Sequence, residues 1–233
     1  MNKSLKFWYL ENFDFFSELS QNQREFVHRN TEMKSLLKNE IIYLEGSPAN
    51  NIYFLKEGEV RISKFNDAGE EFLIRIIPPG SIFGESSIIC SSKRKEFATA
   101  EKQSLICRIS NNKMKELLLL NPELNLRYSG MLEIRLENMQ KRLEDLTFKN
   151  SEERILDFLK TTAINSGKCS NGEITIPSSL THKNIAKLTS TSRQVVSGVF
   201  NDLKKQGIIY YNRREIRILN PDAILNSLSK TVK

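Results

Sequence analysis

The hydrophobic pattern of the chain changes its period near Asn112, and this change constrains the fold more than any other feature. Before it, short apolar runs alternate with glycine-containing turns. Residues 60–65 alternate apolar and polar side chains and end at a turn that contains Gly69, a pattern typical of a β-strand. After Asn112, apolar residues recur at the three- and four-residue spacing of helices. Strands followed by helices predict an α+β chain.

Six strands are predicted in the first half, after a helical lead-in at about residues 12–30. Their turns follow one another at nearly regular intervals, which is typical of a barrel or a jelly roll. The predicted strands are 41–44, 51–55, 60–65, 71–77, 96–99 and 105–109. We therefore predict that residues 1–118 form one β-rich domain.

A long helix is predicted from Pro122, because proline is well accepted in the first turn of a helix. It carries apolar residues spaced four, three, four and three apart, as in a coiled-coil seam: Leu132, Leu136, Met139, Leu143 and Leu146. The seam can pack on the barrel of the same chain or on a second chain, and we predict a dimer. The charged residues between them are predicted to solvate the other faces of the helix: Glu133, Arg135, Glu137, Lys141, Arg142 and Glu144.

A new helix is predicted after Asn150, whose side chain can cap it, and Glu152 and Glu153 place acids in its first turn. We predict a helical segment at 119–149 and a separate domain at 150–233. Residues 151–233 carry 13 Lys and Arg against 7 Asp and Glu, so nearly all of the formal charge of +7 lies there. A basic domain attached to a nearly neutral one indicates a polyanionic partner such as DNA or RNA.

Two short helices joined by a turn are predicted inside the basic domain. Residues 180–188 form the first, with Ile185 and Leu188 facing inward, and Ser192 caps the second, at 193–205. Ala186 is small enough to let the two helices cross closely. This arrangement is typical of a helix-turn-helix.

The second helix presents groups that hydrogen-bond to base edges, and the residues around it suit phosphate oxygens. The inward face of this helix is predicted at Val196, Val199, Phe200 and Leu203. A β-hairpin at 208–219 with a basic tip would form a wing. The predicted DNA-binding residues are Thr181, His182, Thr191, Ser192, Arg193, Gln194, Ser197, Asn201, Arg213 and Arg214. The alternative, a helical hairpin that only packs, does not require this set of arginines.

A glycine-rich turn at residues 80–87 is predicted to open a short helix whose N–H groups could hold a phosphate. Gly84 would let the phosphate approach, Glu85 would accept from a ribose hydroxyl, and Arg94 would pair with the phosphate. The alternative is a barrel corner closed by an internal ion pair between Glu85 and Arg94.

Several classes of protein are excluded by composition. Cys90, Cys107 and Cys169 lie far apart, so neither a disulfide framework nor an iron–sulfur site is expected, and with two histidines no metal site is predicted. No run approaches the roughly 18 apolar residues of a membrane span, and Glu11 and Asp14 argue against a signal peptide. We expect a cytoplasmic chain. Since no catalytic constellation is present, we expect no enzyme.

These residues together resemble the Crp/Fnr family. The resemblance is carried by Asn121-Pro122, by the segment 191–196 and by four barrel glycines: Gly46, Gly58, Gly80 and Gly84. It implies an N-terminal β-roll of the cyclic-nucleotide-binding type, similar to a double-stranded jelly roll, a long dimerisation helix and a C-terminal winged helix-turn-helix. It also implies homodimers on palindromic double-stranded DNA operators, and contact with RNA polymerase.

The resemblance also assigns roles, and some residues depart from it. Arg193 matches the guanine-reading arginine of the family, whereas Gln194 and Gly198 replace other base-reading residues of the cyclic-AMP receptor type, so a different operator is expected. The candidate effector residues are Gly84, Glu85, Ser86, Arg94, Lys95, Met139 and Gln140.

Three of these candidates, Lys95, Met139 and Gln140, stand where the family places nucleotide-binding hydroxyl groups. These residues therefore leave three possibilities for the pocket: it binds a cyclic nucleotide, it binds another ligand, or it binds none. No cofactor is assigned. The alternative function is a nucleotide-sensing module whose basic domain contacts RNA or protein.

Overall fold

The structure is a computed structural model that describes residues 13–85, 88, 93–177, 180–212 and 215–225. The chain divides into two compact units, of which the first ends at Leu136 and the second begins at Glu137. This boundary falls inside the predicted helical segment 119–149, and the predicted three-part division of the chain stays a prediction.

The N-terminal unit contains a short 3-10 helix at Asp14–Phe16, helix α1 at Gln21–Asn30 and a set of antiparallel strands. The strands are β1 (Thr31–Leu36), β2 (Ile41–Tyr43), β3 (Asn51–Glu57), β4 (Val60–Phe65), β5 (Glu71–Ile77), β6 (Ser81–Phe83), β7 (Phe97–Ala100) and β8 (Ser104–Ser110). They form two four-stranded sheets, with the orders β1-β8-β3-β6 and β2-β7-β4-β5. One hydrophobic cluster draws side chains from both sheets, so it lies between them. The predicted β-roll is confirmed.

Two strands, β1 and β6, are absent from the sequence-based prediction, and both are edge strands of one sheet. Strand β1 is mostly polar, and only its end residues Thr31 and Leu36 are buried. Strand β6 has three residues and lies inside the predicted turn at 80–87. An edge strand has one neighbouring strand, so its side chains need not follow a strict apolar alternation.

Two helices follow the barrel, α2 at Asn111–Leu120 and α3 at Pro122–Phe148. The predicted start at Pro122 is confirmed. Asn121 separates the helices, and its Oδ1 accepts from the backbone N of Leu124 at 2.9 Å, which satisfies one free N–H of the first turn. Leu124 and Tyr128 are buried in a second hydrophobic cluster, formed by α1, α2 and the sheet that contains β3 and β8.

The C-terminal unit follows the predicted order of a winged helix-turn-helix. Its helices are α4 (Ser151–Ser166), α5 (His182–Leu188), α6 (Arg193–Lys205) and α7 (Pro221–Leu225). Its strands are β9 (Lys168–Ser170), β10 (Glu173–Pro177), β11 (Ile209–Tyr211) and β12 (Glu215–Ile218), in the order β11-β12-β10-β9. One hydrophobic core joins α4, α5, α6, α7 and this sheet.

The predicted cap of α4 is also present. The Asn150 side chain accepts from the backbone N of Glu153 at 3.0 Å, and the Glu153 carboxylate accepts from the backbone N of Asn150 at 2.8 Å. This reciprocal capping box fixes where α4 begins. In the described part of the chain, no helix combines the length and apolar character that crossing a membrane requires.

Candidate functional site

Helix α6 presents the side chains that are predicted to read DNA. Ser192 caps it, because its Oγ accepts a hydrogen bond from the backbone N of Val195 at 3.2 Å and its own backbone is extended. The predicted inward-facing residues all pack in or against the core of the unit: Val196, Val199, Phe200 and Leu203. The predicted helix, its cap and its buried face are therefore confirmed.

The opposite face of α6 is polar. Arg193, Gln194 and Asn201 are exposed, and Ser197 is half-buried. Between them lies Gly198, where an added Cβ would meet nothing within 4 Å. This face therefore offers a guanidinium, two amides and a bare stretch of backbone, which are groups that hydrogen-bond to base edges and phosphates.

Two of these polar side chains are held by residues from outside α6. Ser197 Oγ lies 2.9 Å from Nδ1 of His182, the first residue of α5. Tyr211 in the wing donates its hydroxyl to Asn201 Oδ1 at 3.0 Å. Burial, and next the charge of Arg193, lower the pKa of His182, so this imidazole is neutral at pH 7.

The turn between α5 and α6 uses its hydroxyl groups locally. Thr181 caps α5 by accepting from the backbone N of Asn184 at 3.2 Å. Thr189 is buried and donates to the carbonyl of Ile185 at 2.8 Å, and its Oγ1 lies 3.1 Å from Oγ1 of Thr191. Thr181 is exposed and Thr191 is half-buried, so phosphate contact by these two residues stays a prediction.

Two arginines that the sequence pattern does not single out hold this turn. Arg154 of α4 donates through Nε to the carbonyl of Thr189 at 2.9 Å and through Nη2 to that of Ser190 at 3.1 Å. Arg142 of α3 donates to the carbonyl of Lys187 at 3.1 Å, and burial lowers its pKa. The prediction that Arg142 only solvates α3 is therefore wrong. The contacts join residues at least 35 positions apart, and no periodic pattern marks such pairs.

The predicted wing is present as a hairpin of β11 and β12, with Tyr211 opposite Ile216. Strand β12 also pairs with β10, so the hairpin is joined to the rest of the sheet. The predicted tip residues Arg213 and Arg214 lie outside the described residues, and their contact with the DNA backbone stays a prediction.

The apolar seam of α3 is divided between two environments. Leu132 is partly buried against the cluster formed by α1, α2 and the barrel. The other four residues are between 44% and 65% exposed in the single chain: Leu136, Met139, Leu143 and Leu146. The same-chain partner thus accounts for Leu132, and the rest of the seam is uncovered.

Arg94 fills the barrel corner at Gly84. Its Nη1 donates to the carbonyl of Gly84 at 2.8 Å, its Nη2 donates to the carbonyl of Asn51, and its guanidinium carbon lies 4.2 Å from the ring centroid of Tyr43. Gly84 has a φ of +73°, and a Cβ there would lie 2.8 Å from Arg94 Nη1. A side chain at position 84 would therefore displace this buried guanidinium.

Glu85 is buried and pairs with two other arginines. Its carboxylate forms an ion pair with Arg135 of α3, and its Oε1 lies 3.5 Å from Nη2 of Arg75. Arg135 also donates to the carbonyl of Ile82 at 2.6 Å, and Tyr128 donates to the carbonyl of Glu85 at 3.1 Å. Burial, and next the charge of Arg75, lower the pKa of Arg135 to about 9.

These contacts correct two sequence-based expectations. The alternative ion pair between Glu85 and Arg94 is wrong, because Glu85 pairs with Arg135 and Arg75, whereas Arg94 donates to backbone carbonyls. The prediction that Arg135 solvates a free face of α3 is also wrong. Arg135 lies 53 positions from Ile82 in the sequence, so the fold brings it to the corner.

The corner is electropositive and still has hydrogen-bonding capacity. The guanidinium groups of Arg75 and Arg135 pair with the carboxylate of Glu85, and that of Arg94 lies on the neighbouring carbonyl of Gly84. Among the described residues, Nε of Arg75, Nε of Arg94 and Oε2 of Glu85 are buried and have no hydrogen-bond partner. A buried arginine donor without an acceptor favours an anionic ligand.

The structure gives less information about the remaining candidate effector residues. Ser86 lies outside the described residues, and Lys95 is exposed next to Arg94. Met139 and Gln140 are exposed on the part of α3 that belongs to the C-terminal unit. Their contact with an effector stays a prediction.

Comparison with known domains identifies both units. Residues 33–121 match the cyclic nucleotide-binding domain, and residues 153–226 match the Crp-like helix-turn-helix domain. The chain is 28% identical to the global nitrogen regulator of a Nostoc strain over 187 residues, which cover 79% of this chain and 83% of that protein. It is 25% identical to the CRP-like cAMP-activated global transcriptional regulator of Mycobacterium tuberculosis over 183 residues, which cover 78% and 82%.

Solved structures share the fold along most of the chain. A mutant of CooA from Carboxydothermus hydrogenoformans has a TM-score of 0.77 at 23% identity, covering 94% of both chains. The c-di-GMP responsive global regulator CLP of Xanthomonas campestris has a TM-score of 0.69 at 18% identity, covering 86% of this chain and 99% of that one. With a cyclic nucleotide-binding domain, a long helix and a Crp-like helix-turn-helix domain in this order, the chain belongs to the Crp/Fnr family of DNA-binding transcription regulators.

Proposed function

We propose that the chain binds a palindromic operator in double-stranded DNA as a homodimer, with α6 of each protomer in the major groove. The observation that carries this proposal is the exposed polar face of α6, which is capped by Ser192 and backed by a hydrophobic core. Arg193 and Gln194 lie in its first turn, where recognition helices contact base edges. The positive charge of residues 151–233 favours the same partner.

The uncovered part of the α3 seam supports the homodimer. Leu136, Met139, Leu143 and Leu146 are apolar, exposed and spaced as in a coiled coil, so a second copy of α3 would bury them. A two-fold dimer presents two recognition helices, and the two half-sites of the operator would lie about one helical turn, roughly 34 Å, apart.

The family relationship supports three further parts of the proposal. The DNA-bound dimer would contact RNA polymerase, because the relatives are transcription regulators. The chain would act in the cytoplasm, where its DNA and the polymerase are found. It would act by binding alone and would catalyse no reaction.

The barrel corner supports a small anionic effector as the controlling ligand. An anion there would meet Arg75, Arg94 and Arg135 and would compete with Glu85 for Arg75 and Arg135. Because Arg135 lies on α3, the competition would change how the barrel holds that helix. One relative is named for activation by cAMP and a structural neighbour for its response to c-di-GMP, so the family relationship leaves the chemistry of the effector open.

Binding to DNA is tested by fluorescence anisotropy with a labelled duplex from a native promoter, a duplex of random sequence and an RNA duplex. We expect tight binding to the promoter and weaker binding to both others, with an affinity that falls steeply as salt rises. Equal binding to the RNA duplex, or no preference for the promoter, would favour the alternative of an RNA or protein partner.

The effector is tested by calorimetric titration of the full chain with cyclic AMP. Heat at micromolar ligand that disappears in Arg94→Gln and persists in the control Lys64→Gln, which changes an exposed lysine of β4, would assign cyclic AMP to the corner. If no heat is evolved with cyclic AMP, either the effector is another anion or the chain has no effector. The same titration with c-di-GMP then tests one such anion.

A further inference from the structure

The side chain of Asn201 is held in one orientation by the wing. It lies on the outward face of α6, and Tyr211 at the end of β11 donates its phenolic hydrogen to Asn201 Oδ1 at 3.0 Å. The two ends of an asparagine amide read opposite groups, because the oxygen accepts hydrogen bonds and the nitrogen donates them. An exposed amide without this contact could turn either end outward.

Tyr211 is itself fixed on three sides. Its ring meets the buried ring of Phe200 edge-on, with centroids 5.3 Å apart at an interplanar angle of 82°. The ring of His182 lies 5.3 Å away, and the Tyr211 backbone pairs with Ile216 across the hairpin. The core, α5 and β12 therefore determine together where the Tyr211 hydroxyl lies.

We infer that Tyr211 is a positioning residue for sequence recognition, which holds Asn201 so that its Nδ2 donates to an acceptor on a base edge in the major groove. The inference rests on the proposed function, that α6 enters that groove. Because the Asn201 oxygen accepts from Tyr211, the amide presents its Nδ2 donor outward. Such a donor fits O6 or N7 of guanine, N7 of adenine and O4 of thymine, whereas cytosine offers only its N4 donor in the major groove.

Because Tyr211 already holds the amide of Asn201, binding to a base also costs less conformational entropy. A free side chain loses rotational freedom when it docks on a base, and a side chain already held by the protein loses less. The effect of Tyr211 should therefore appear in the preference for one base position and leave the contacts to phosphates unchanged.

The test is a selection of bound duplexes from a pool with randomised half-sites, using the full chain. The variant is Tyr211→Phe, which keeps the packed ring and removes only the hydroxyl. The matched control is Tyr210→Phe, one residue away, where the ring lies 4.6 Å from the guanidinium of Arg217. We expect the discrimination against cytosine at one position per half-site to weaken roughly threefold to tenfold in Tyr211→Phe and to persist in Tyr210→Phe.

A second variant shows whether Tyr211 acts through Asn201. Asn201→Ala should weaken the same base preference, and adding Tyr211→Phe to it should change nothing further. An unchanged preference in Tyr211→Phe would overturn the inference, and so would an equal loss of affinity for every duplex. If the wild-type chain selects no common sequence, the proposed function fails instead, so the two failures are distinguishable.

Discussion

The barrel corner around Glu85 and the outward face of α6 carry similar polar groups in different surroundings. At the corner, the guanidinium of Arg94 is buried on two carbonyl groups and that of Arg135 is paired with Glu85. On α6, the guanidinium of Arg193 and the amide of Gln194 are exposed. The corner thus holds its charged groups inside the barrel, whereas α6 presents them to solvent.

In the proposed function, this difference separates control at the corner from recognition by α6. A buried charge costs several kcal/mol unless it is paired, so each partner at the corner depends on the others. Under the proposed function, a ligand that changed one of them would act on α3, through Arg135 and through Tyr128, which donates to the backbone of Glu85. An exposed group on α6 has no such dependence, and changing it alters binding while leaving the fold intact.

The largest effect is expected at the exposed seam of α3, in Leu143→Glu. Like charges that face each other across an interface cost several kcal/mol, so we expect a monomer at concentrations where the wild type is a dimer. Analytical ultracentrifugation measures this. The control is Ile164→Glu, which changes an exposed apolar residue of α4 away from the seam. A dimeric Leu143→Glu would contradict the assignment of the seam.

The next effect is expected at the corner, in Glu85→Gln. The substitution keeps the shape of the side chain and leaves Arg135 and Arg75 without their buried carboxylate, so the free energy of unfolding should fall by about 2–4 kcal/mol. Urea denaturation followed by circular dichroism measures it. The control is Glu32→Gln, whose ion pair with Arg108 is exposed and should contribute at most about 1 kcal/mol. Equal losses in the two variants would remove the contrast between buried and exposed pairs.

Arg193→Ala should have an intermediate effect, on binding alone. Losing a side chain that reads a base costs roughly 1–3 kcal/mol of specific binding and relaxes one operator position, while binding to random DNA changes less. Because Arg193 is exposed, the free energy of unfolding should stay within about 0.5 kcal/mol of the wild type. Anisotropy on promoter and random duplexes gives the first quantity and urea denaturation the second. Full affinity and selectivity on the promoter would show that Arg193 reads no base.

The features that the sequence predicts well are those formed by neighbours in the chain. The caps at Asn150 and Ser192 each bond to a backbone N–H three residues ahead, so the pattern of residues contains the whole interaction. The periodic inward face of α6 follows in the same way. The recognition helix is therefore predicted almost to the residue, from Arg193 to Lys205.

The features that the sequence misses are formed by pairs remote in the chain. Arg135 meets Ile82, 53 positions away, and Arg142 meets Lys187, 45 positions away. On a helical pattern both look like charged residues of a solvated face. Whether Arg94 meets Glu85 or the carbonyl of Asn51 likewise depends on how the strands pack. For this reason the sequence predicts the individual residues of a site that is built from one helix and its turn. For a site that is built by tertiary contacts, it predicts only the region of the chain.

The smallest effect is expected from His182, which lies next to the reading face of α6. Burial lowers its pKa, so the folded chain binds this proton less readily than the unfolded chain does. Its contribution to stability is thus fully present above the ordinary pKa of about 6.5 and is lost as the pH falls through the lower pKa of the folded state. Between about pH 7.5 and pH 5.5, the free energy of unfolding should fall more in the wild type than in His182→Gln, by at most a few tenths of a kcal/mol because the ring is only partly buried. Urea denaturation of both proteins at the two pH values measures the difference, and a smaller fall in the wild type would mean that the imidazolium gains a partner in the folded state.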